Sequence, residues 1–466
     1  MPRVFCLTAL LFLSQTLFFS SGCSHPSGGT IAASEAIVLD GTTWPLFHGP
    51  NRDNVSPETG LLKSWGEGGP PLLWKNDKIG NTEYPGYSSV TVAEGRVFTA
   101  GNLKDEGQPD QNAHSYVFAL NENTGEEIWR YRNGPAWTDR GHFPGERGTP
   151  TIDGERVYAY SAVGKIACLE AAAGQEIWAR DLREEYSATL PVWAFAESPF
   201  IDGDKVILWI GGEKAAVVAL NKMTGETLWT TPSTGQRGNY ASMTAFDYGG
   251  QRVYVNMNQA GVLAVNAETG KKLFDIPHKT DWDVMATTPY FFMMIPTEST
   301  SSETLGYLFF TSGYGTGARC YLLNVSGDSM TPSLFWSNPQ FDNQHGGVVI
   351  KEGYIYGAAH RHGGGRTWMC VKLDNGITAW EQRGREMSMG SLTYADGMLY
   401  CMSEREGTVA LVKASPEQYE EMGRFSLPTP EEGGGTGMFW AHPVVCNKKL
   451  YLRHGNLLYC YDVGEK

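Results

Sequence analysis

The sequence is short of positive charge, has no sustained apolar span in its body, and carries none of the common short catalytic motifs. Lys and Arg number 37 against 51 Asp and Glu, a formal net charge of −14 over 466 residues. Nucleic-acid binding needs clustered Lys and Arg to release phosphate counterions, and no basic stripe escapes this average. Beyond the extreme N-terminus, no stretch approaches the ~18 uninterrupted apolar residues that would cross a bilayer. No G-x-S-x-G, Walker or zincin motif is present. Long helical periodicity is missing as well. Charged residues at 19% and hydrophobic residues at 41% nonetheless exclude a disordered chain. What abounds is glycine, 56 residues, and aromatic side chains at 12%, the composition of many strands joined by tight turns.

The N-terminus reads as a processing signal. Arg3 precedes the almost wholly apolar run Val4 to Phe19, and Ser20-Ser21-Gly22-Cys23 follows, then the polar Ser24 to Gly29. This pattern resembles a bacterial lipoprotein signal, in which the Cys becomes the acylated first residue. The expectation is a signal peptide over 1–22, lipidation at Cys23, a flexible tethered linker over 23–43 and one domain over 44–466. An ordinary cleaved signal is the alternative. Either reading implies export to the cell envelope, and the expected lipid anchor at Cys23 would be the chain's contact with the membrane.

Internal repetition dominates the remainder. An apolar strand runs into a polar turn ending in Gly, and an aromatic follows four residues later: Gly125 and Trp129, Gly174 and Trp178, Gly225 and Trp229, Gly270 and Phe274, Gly376 and Trp380. Gly takes the φ > 0 position of a hairpin turn, and the next strand sets the aromatic at a fixed depth against a neighbouring unit. A second hairpin lies upstream of each, as at Asp153-Gly154 and Asp202-Gly203. Two hairpins make a four-stranded antiparallel blade, so the chain is expected to be an all-β propeller. The aromatic marker recurs as Trp74, Trp129, Trp178, Trp229, Phe274, Trp336, Trp380 and Phe425, spaced 44 to 62 residues apart. That gives eight blades, with seven as the alternative because Pro289 to Trp336 is degenerate. The last unit, Phe439 to Val463, lacks its fourth strand; Pro71 to Lys75 would supply it and remove the open edges of the ring.

Six cysteines follow Cys23, an even number that invites disulfides in an exported protein. Register argues otherwise. Cys168 and Cys370 lie six residues before their turn Gly, where Ala119, Ala219 and Ala264 lie before theirs, and Cys460 aligns with them. They replace a small apolar residue between blades, so buried free thiols are expected.

The phrase A-L-N-x-x-T-G-x-x-x-W at Ala119 to Trp129 and Ala219 to Trp229 resembles the pyrroloquinoline-quinone (PQQ)-like repeat family. One branch of that family comprises alcohol and sugar dehydrogenases that bind PQQ and calcium at the propeller axis. Another is the non-catalytic lipoprotein of the outer-membrane assembly machinery, an interaction platform without a cofactor. A third group of exported proteins is closest at Trp44 to Pro50 and at Gly390 to Gly397.

The dehydrogenase resemblance implies roles for Asp281-Trp282-Asp283: calcium ligation, with Asp283 as the catalytic base. The plainer reading is a turn capped by Asp side chains. The chain lacks the adjacent Cys pair that many such dehydrogenases set beside the cofactor, and it has no haem-attaching C-x-x-C-H. Small residues open the innermost strands, among them Ser88-Ser89, Gly148-Thr149, Ala241-Ser242, Thr287-Thr288 and Ala441-His442. Just before inner strands stand Tyr87, Arg147, Tyr240, His345, Met389 and Trp440, which would ring one channel mouth and suit a small polar ligand. Rim packing is the plainer account. His360-Arg361-His362 reads as a solvated loop, because H-x-H alone lacks a third metal ligand. Asp105-Glu106-Gly107 reads as an insertion. The leading expectation is an envelope-tethered, non-catalytic propeller that binds an envelope protein or a small polar ligand. The alternatives are a PQQ- and calcium-dependent dehydrogenase and a carbohydrate-active propeller using mouth carboxylates such as Glu197.

Overall fold

The structure is a computed structural model and describes residues 43–104, 107, 109, 112–238, 240–295, 304–360, 365–384 and 387–466. The signal peptide, Cys23, nearly all of the linker, Asp105-Glu106 and Arg361 to Gly364 lie outside the described residues. Eight blades of four antiparallel strands form, one of them extended by a fifth, parallel strand, so the eight-blade reading stands and the seven-blade one does not. The degenerate fifth unit is a complete blade, Tyr290–Met294, Leu305–Ser312, Gly317–Ser326 and Ser329–Asn338. The eighth is closed as its missing strand requires: Leu72–Asn76 pairs antiparallel with Leu457–Asp462, Trp74 opposite Cys460. Among the described residues, the longest helical piece is the four-residue turn Leu182–Glu185.

Each repeat signature has a physical counterpart. Asn121 Oδ1 accepts the backbone N–H of Asn123 (2.9 Å) and of Thr124 (3.1 Å), and Gly125 then turns the chain at φ +71°. The indole of the preceding blade lies flat on that glycine. A Cβ on Gly125 would stand 2.4 Å from the Trp74 ring, and the same meeting recurs for Gly174 with Trp129, Gly225 with Trp178, Gly270 with Trp229 and Gly376 with Trp336. The indole N–H then donates to a backbone carbonyl beside the turn: Trp74 to Glu122 (3.0 Å), Trp129 to Ala171 (3.0 Å), Trp178 to Lys222 (3.1 Å), Trp336 to Leu373 (2.9 Å). Burying about 200 Å² of indole is worth up to about 5 kcal/mol per blade contact. Phe425 closes the ring by packing on Gly69.

The residue directly across from seven of the eight docking aromatics is small, and Val409 faces the eighth, Phe425. Ala119, Ala219 and Ala264 face Trp129, Trp229 and Phe274, while Cys168, Cys320, Cys370 and Cys460 face Trp178, Trp336, Trp380 and Trp74. All six described cysteines are buried and free.

A segment with no repeat character fills the axis. Trp44 exchanges backbone hydrogen bonds with Val92 of the first blade, and the Pro45 carbonyl accepts from Ile152 of the second. Arg52 donates to Pro199 O (2.7 Å) beside the third blade and to Met243 O (2.9 Å) beside the fourth. The Asn54 amide reaches Tyr290 of the fifth blade (3.4 Å) and Val348 O of the sixth (3.1 Å). Val55–Ser56 adds a parallel strand to the seventh blade, and Glu58 accepts from Asn447 N (2.8 Å) in the eighth. Positive φ at His48, Gly49, Arg52 and Asn54 lets so short a run turn repeatedly.

Candidate functional site

The inner strands are stitched to one another by the small hydroxyl residues at their starts. The N–H of Ser89 donates to Thr149 Oγ1 (3.0 Å), Thr149 N–H to Ser198 Oγ (2.9 Å) and Ser198 N–H to Ser242 Oγ (3.0 Å). This belt crosses four blades and fixes the residue that precedes each strand at a common height. A cavity of about 300 Å³ opens there, and five of the six expected mouth residues line it: Tyr87, Arg147, Tyr240, His345 and Trp440. Met389 does not; it is buried at 3% exposure in the apolar contact between the sixth and seventh blades. A methionine is more stable there than at a wet rim.

Aromatic walls dominate. Trp440 meets Tyr87 at 4.9 Å between ring centroids, Phe143 at 4.8 Å and His345 at 5.6 Å. Trp193 stands edge-on to Tyr240 at 5.9 Å. The axial segment contributes Phe47, and the neighbouring His48 packs at a tilt against the lining residue His442 at 4.6 Å. Sequence reasoning missed Phe47, Phe143, Trp193 and Glu404, because none occupies a repeated position. The turn-rich run His48-Gly49-Pro50-Asn51-Arg52-Asp53-Asn54 was the available signal for the axial segment.

Among the described residues Glu404 is the one carboxylate in the lining, with its side chain 4% exposed. The Trp440 indole donates to it at 3.1 Å, and Arg405 (3.5 Å), His345 (3.6 Å) and Arg366 (3.9 Å) surround it. Burial raises its carboxyl above the usual range against the pull of these donors. Burial pushes His345 and His442 down to about 3, so both rings are neutral near pH 7. Arg147 lies over the Tyr87 ring at 5.0 Å and donates to His142 O at 3.0 Å and to Phe143 O. Burial lowers it to about 10, still a cation at neutral pH.

The other expected residues lie elsewhere. Asp281, Trp282 and Asp283 are absent from the lining, which the chain joins through Val284 and Ala286 instead. Trp282 is 62% exposed; Asp283 has φ +54°, donates its N–H to Thr280 O (3.2 Å) and stands 3.6 Å from Lys279. That is the geometry of a surface turn. Glu197 is not a mouth carboxylate. It is buried at 2% exposure and accepts the N–H groups of Trp209 (2.6 Å) and Met243 (3.0 Å) and the Asn256 amide (3.0 Å), fastening two blades. His360, read as part of a solvated loop, lines the cavity 5.2 Å from the Tyr314 ring.

Residues 113–382 match the family model described as outer membrane protein assembly factor BamB, which is more than half of the chain. The chain belongs to this family of PQQ-like propellers. BamB of Salmonella typhimurium is 33% identical over 91 residues, 19% of this chain and 22% of that protein, so the chain matches about a fifth of that relative's length. Among solved structures, the quinohemoprotein alcohol dehydrogenase of Comamonas testosteroni superposes with a TM-score of 0.63 at 14% identity, covering 91% of this chain and 81% of that one. BamB of Moraxella catarrhalis gives 0.52 at 13% identity, covering 80% and 94%. At such identities the likeness is one of fold.

The calcium and PQQ that the dehydrogenase likeness implies do not fit this mouth. Calcium takes six to eight oxygen ligands, several from carboxylates. Here a single lining carboxylate is ringed by cations, and no group of three His, Cys, Asp or Glu among the described residues could hold a metal. The Trp-Asp pair that would accompany the cofactor sits outside the cavity.

Proposed function

We propose that this propeller is a non-catalytic binding protein of the cell envelope that holds a small polar ligand in its axial cavity. The observation that carries the reading is the cavity itself: apolar ring faces converge with a few fixed polar groups, the composition of a small-molecule site. The polar groups suit holding rather than reaction. Glycoside hydrolysis needs two carboxylates, and among the described residues the lining has one. Its buried histidines His345 and His442 are neutral and packed at a tilt against aromatic neighbours. Membership of a family named for outer membrane protein assembly supports placement in the envelope, as does the lipoprotein-like N-terminus with acylation at Cys23.

Titration of the protein with a metabolite panel, read by tryptophan fluorescence, tests the binding role. At least one small polar compound should bind, and Trp440→Ala should weaken it at least about 10-fold through loss of the ring face. Dye reduction on addition of PQQ, calcium and an alcohol, abolished by Asp283→Ala, would overturn the non-catalytic reading. Palmitate labelling lost in Cys23→Ser is the expected result for the tether.

A further inference from the structure

We propose that the axial cavity selects a carboxylate-bearing ligand with a ring-shaped body, and that Arg147 is the cation that pairs with it. The proposal rests on the binding role argued above and names the class of ligand. The chain as a whole is acidic, at −14. Its mouth is the reverse, with Arg147 and Arg405 in the lining, Arg366 close behind, and one carboxylate among them.

That carboxylate is already engaged. Glu404 takes the Trp440 indole N–H and has Arg405 and Arg366 within 4 Å, so these two guanidinium groups have their counter-ion. Arg147 has none. It forms no ion pair with a described carboxylate; its hydrogen bonds go to the carbonyls of His142 and Phe143, and its Nε has no acceptor. The adjacent Glu146 does not serve. Its Oε2 accepts the Ala162 N–H at 3.0 Å and no hydrogen bond joins it to Arg147, while burial raises the carboxyl to about 7. A guanidinium held in aromatic surroundings without a counter-ion is costly, and an incoming anion relieves that cost with charge-assisted hydrogen bonds.

The walls define the rest of the ligand. Tyr87, against whose face Arg147 lies, is 4.9 Å from Trp440, and Phe143 is 4.8 Å from the same indole. These faces suit an aromatic ring or the C–H face of a sugar. A carboxylate matches a single guanidinium fork. A phosphate monoester would bring a second charge, and the other guanidinium in the lining, Arg405, already faces Glu404.

Calorimetry on the full chain decides the matter with matched pairs: 4-hydroxybenzoate and its amide, indole-3-acetate and its amide, glucuronate and glucuronamide. At least one acid should bind about 10-fold or more tightly than its amide. In Arg147→Gln that acid should lose its advantage over the amide. The acid–amide comparison on the unaltered protein stands even if the variant does not fold. Amides binding as well as their acids, or an acid preference that persists in Arg147→Gln, would sink the proposal while leaving the cavity a binding site. Phenyl phosphate binding more tightly than every acid would overturn the choice of carboxylate. Absence of binding by every probe would remove both this proposal and the binding role itself.

Discussion

At the scale of single residues, Glu197 shows how burial turns a mouth candidate into a fastener. Burial raises its carboxyl to about 8, against about 4.3 in an unfolded chain. Between those values the folded state keeps a proton that the unfolded state releases. The associated stability is therefore full below about 4.3 and lost as pH rises through about 8. Glu197→Gln removes this titration and sets an amide N–H against one of three donors, so it should cost about 1–3 kcal/mol. The gap in melting temperature between wild type and variant should narrow from about pH 5 to about pH 9; a constant gap would refute the assignment. The thiols make a second case. Burial pushes Cys370 and Cys460 up to about 12, and Cys320 and Cys401 are raised by burial as well. Peptide mapping should find the six described cysteines unalkylated in the native protein and fully alkylated in denaturant. Small-slot cysteines were legible from register at three positions; Cys320 was not, because in the fifth blade the turn glycine, Gly327, stands further from both Cys320 and Trp336 than the repeat spacing sets. Glu404 and Glu197 look alike in sequence, and only the direction each side chain takes separates binding group from fastener.

At the scale of elements, the unit of stability is an indole laid on the next blade's turn. Two glycines with similar backbone separate its parts. Gly203 has φ +58° with open space around it, whereas Gly225 has φ +76° and a Cβ there would lie 2.8 Å from the Trp178 ring. Gly203→Ala should cost about 1–2 kcal/mol for the left-handed backbone alone. Gly225→Ala should cost about 1–3 kcal/mol more for the displaced indole, and Trp178→Ala about 3–5 kcal/mol. Urea unfolding of the three variants checks the order; equal losses in the two glycine variants would show that the indole contact contributes little. This layer was the most legible in the sequence, since a turn glycine and an aromatic at fixed spacing record one local geometry repeated. The hydroxyl belt was visible only as small residues at inner strands, and its bonding needed the neighbouring blade.

At the scale of the whole molecule, the axial segment ties what the blade contacts leave separate. Arg52 satisfies carbonyls beside two blades and lies 4.9 Å from the Phe200 ring. Arg52→Ala should lower stability by about 2 kcal/mol or more through orphaned carbonyls. It should also weaken cavity binding, because Phe47 and His48 lose their support. A variant that melts normally and binds normally would show the segment to be passive. No repeat encodes this segment, so sequence periodicity could not place it, and it matters to the site because it supplies part of the wall. Its consequence extends to how the molecule is made. Residues 44–58 come before every blade, yet Arg52 finds an acceptor 191 positions later, Asn54 one 294 later, and Glu58 its donor 389 later. Contacts of such separation form slowly, and until the last strand arrives the ring has two raw edges. The earliest stretch of the chain is thus among the last to settle, which makes assembly a single late commitment and leaves a chain cut short of its eighth blade without a finished centre.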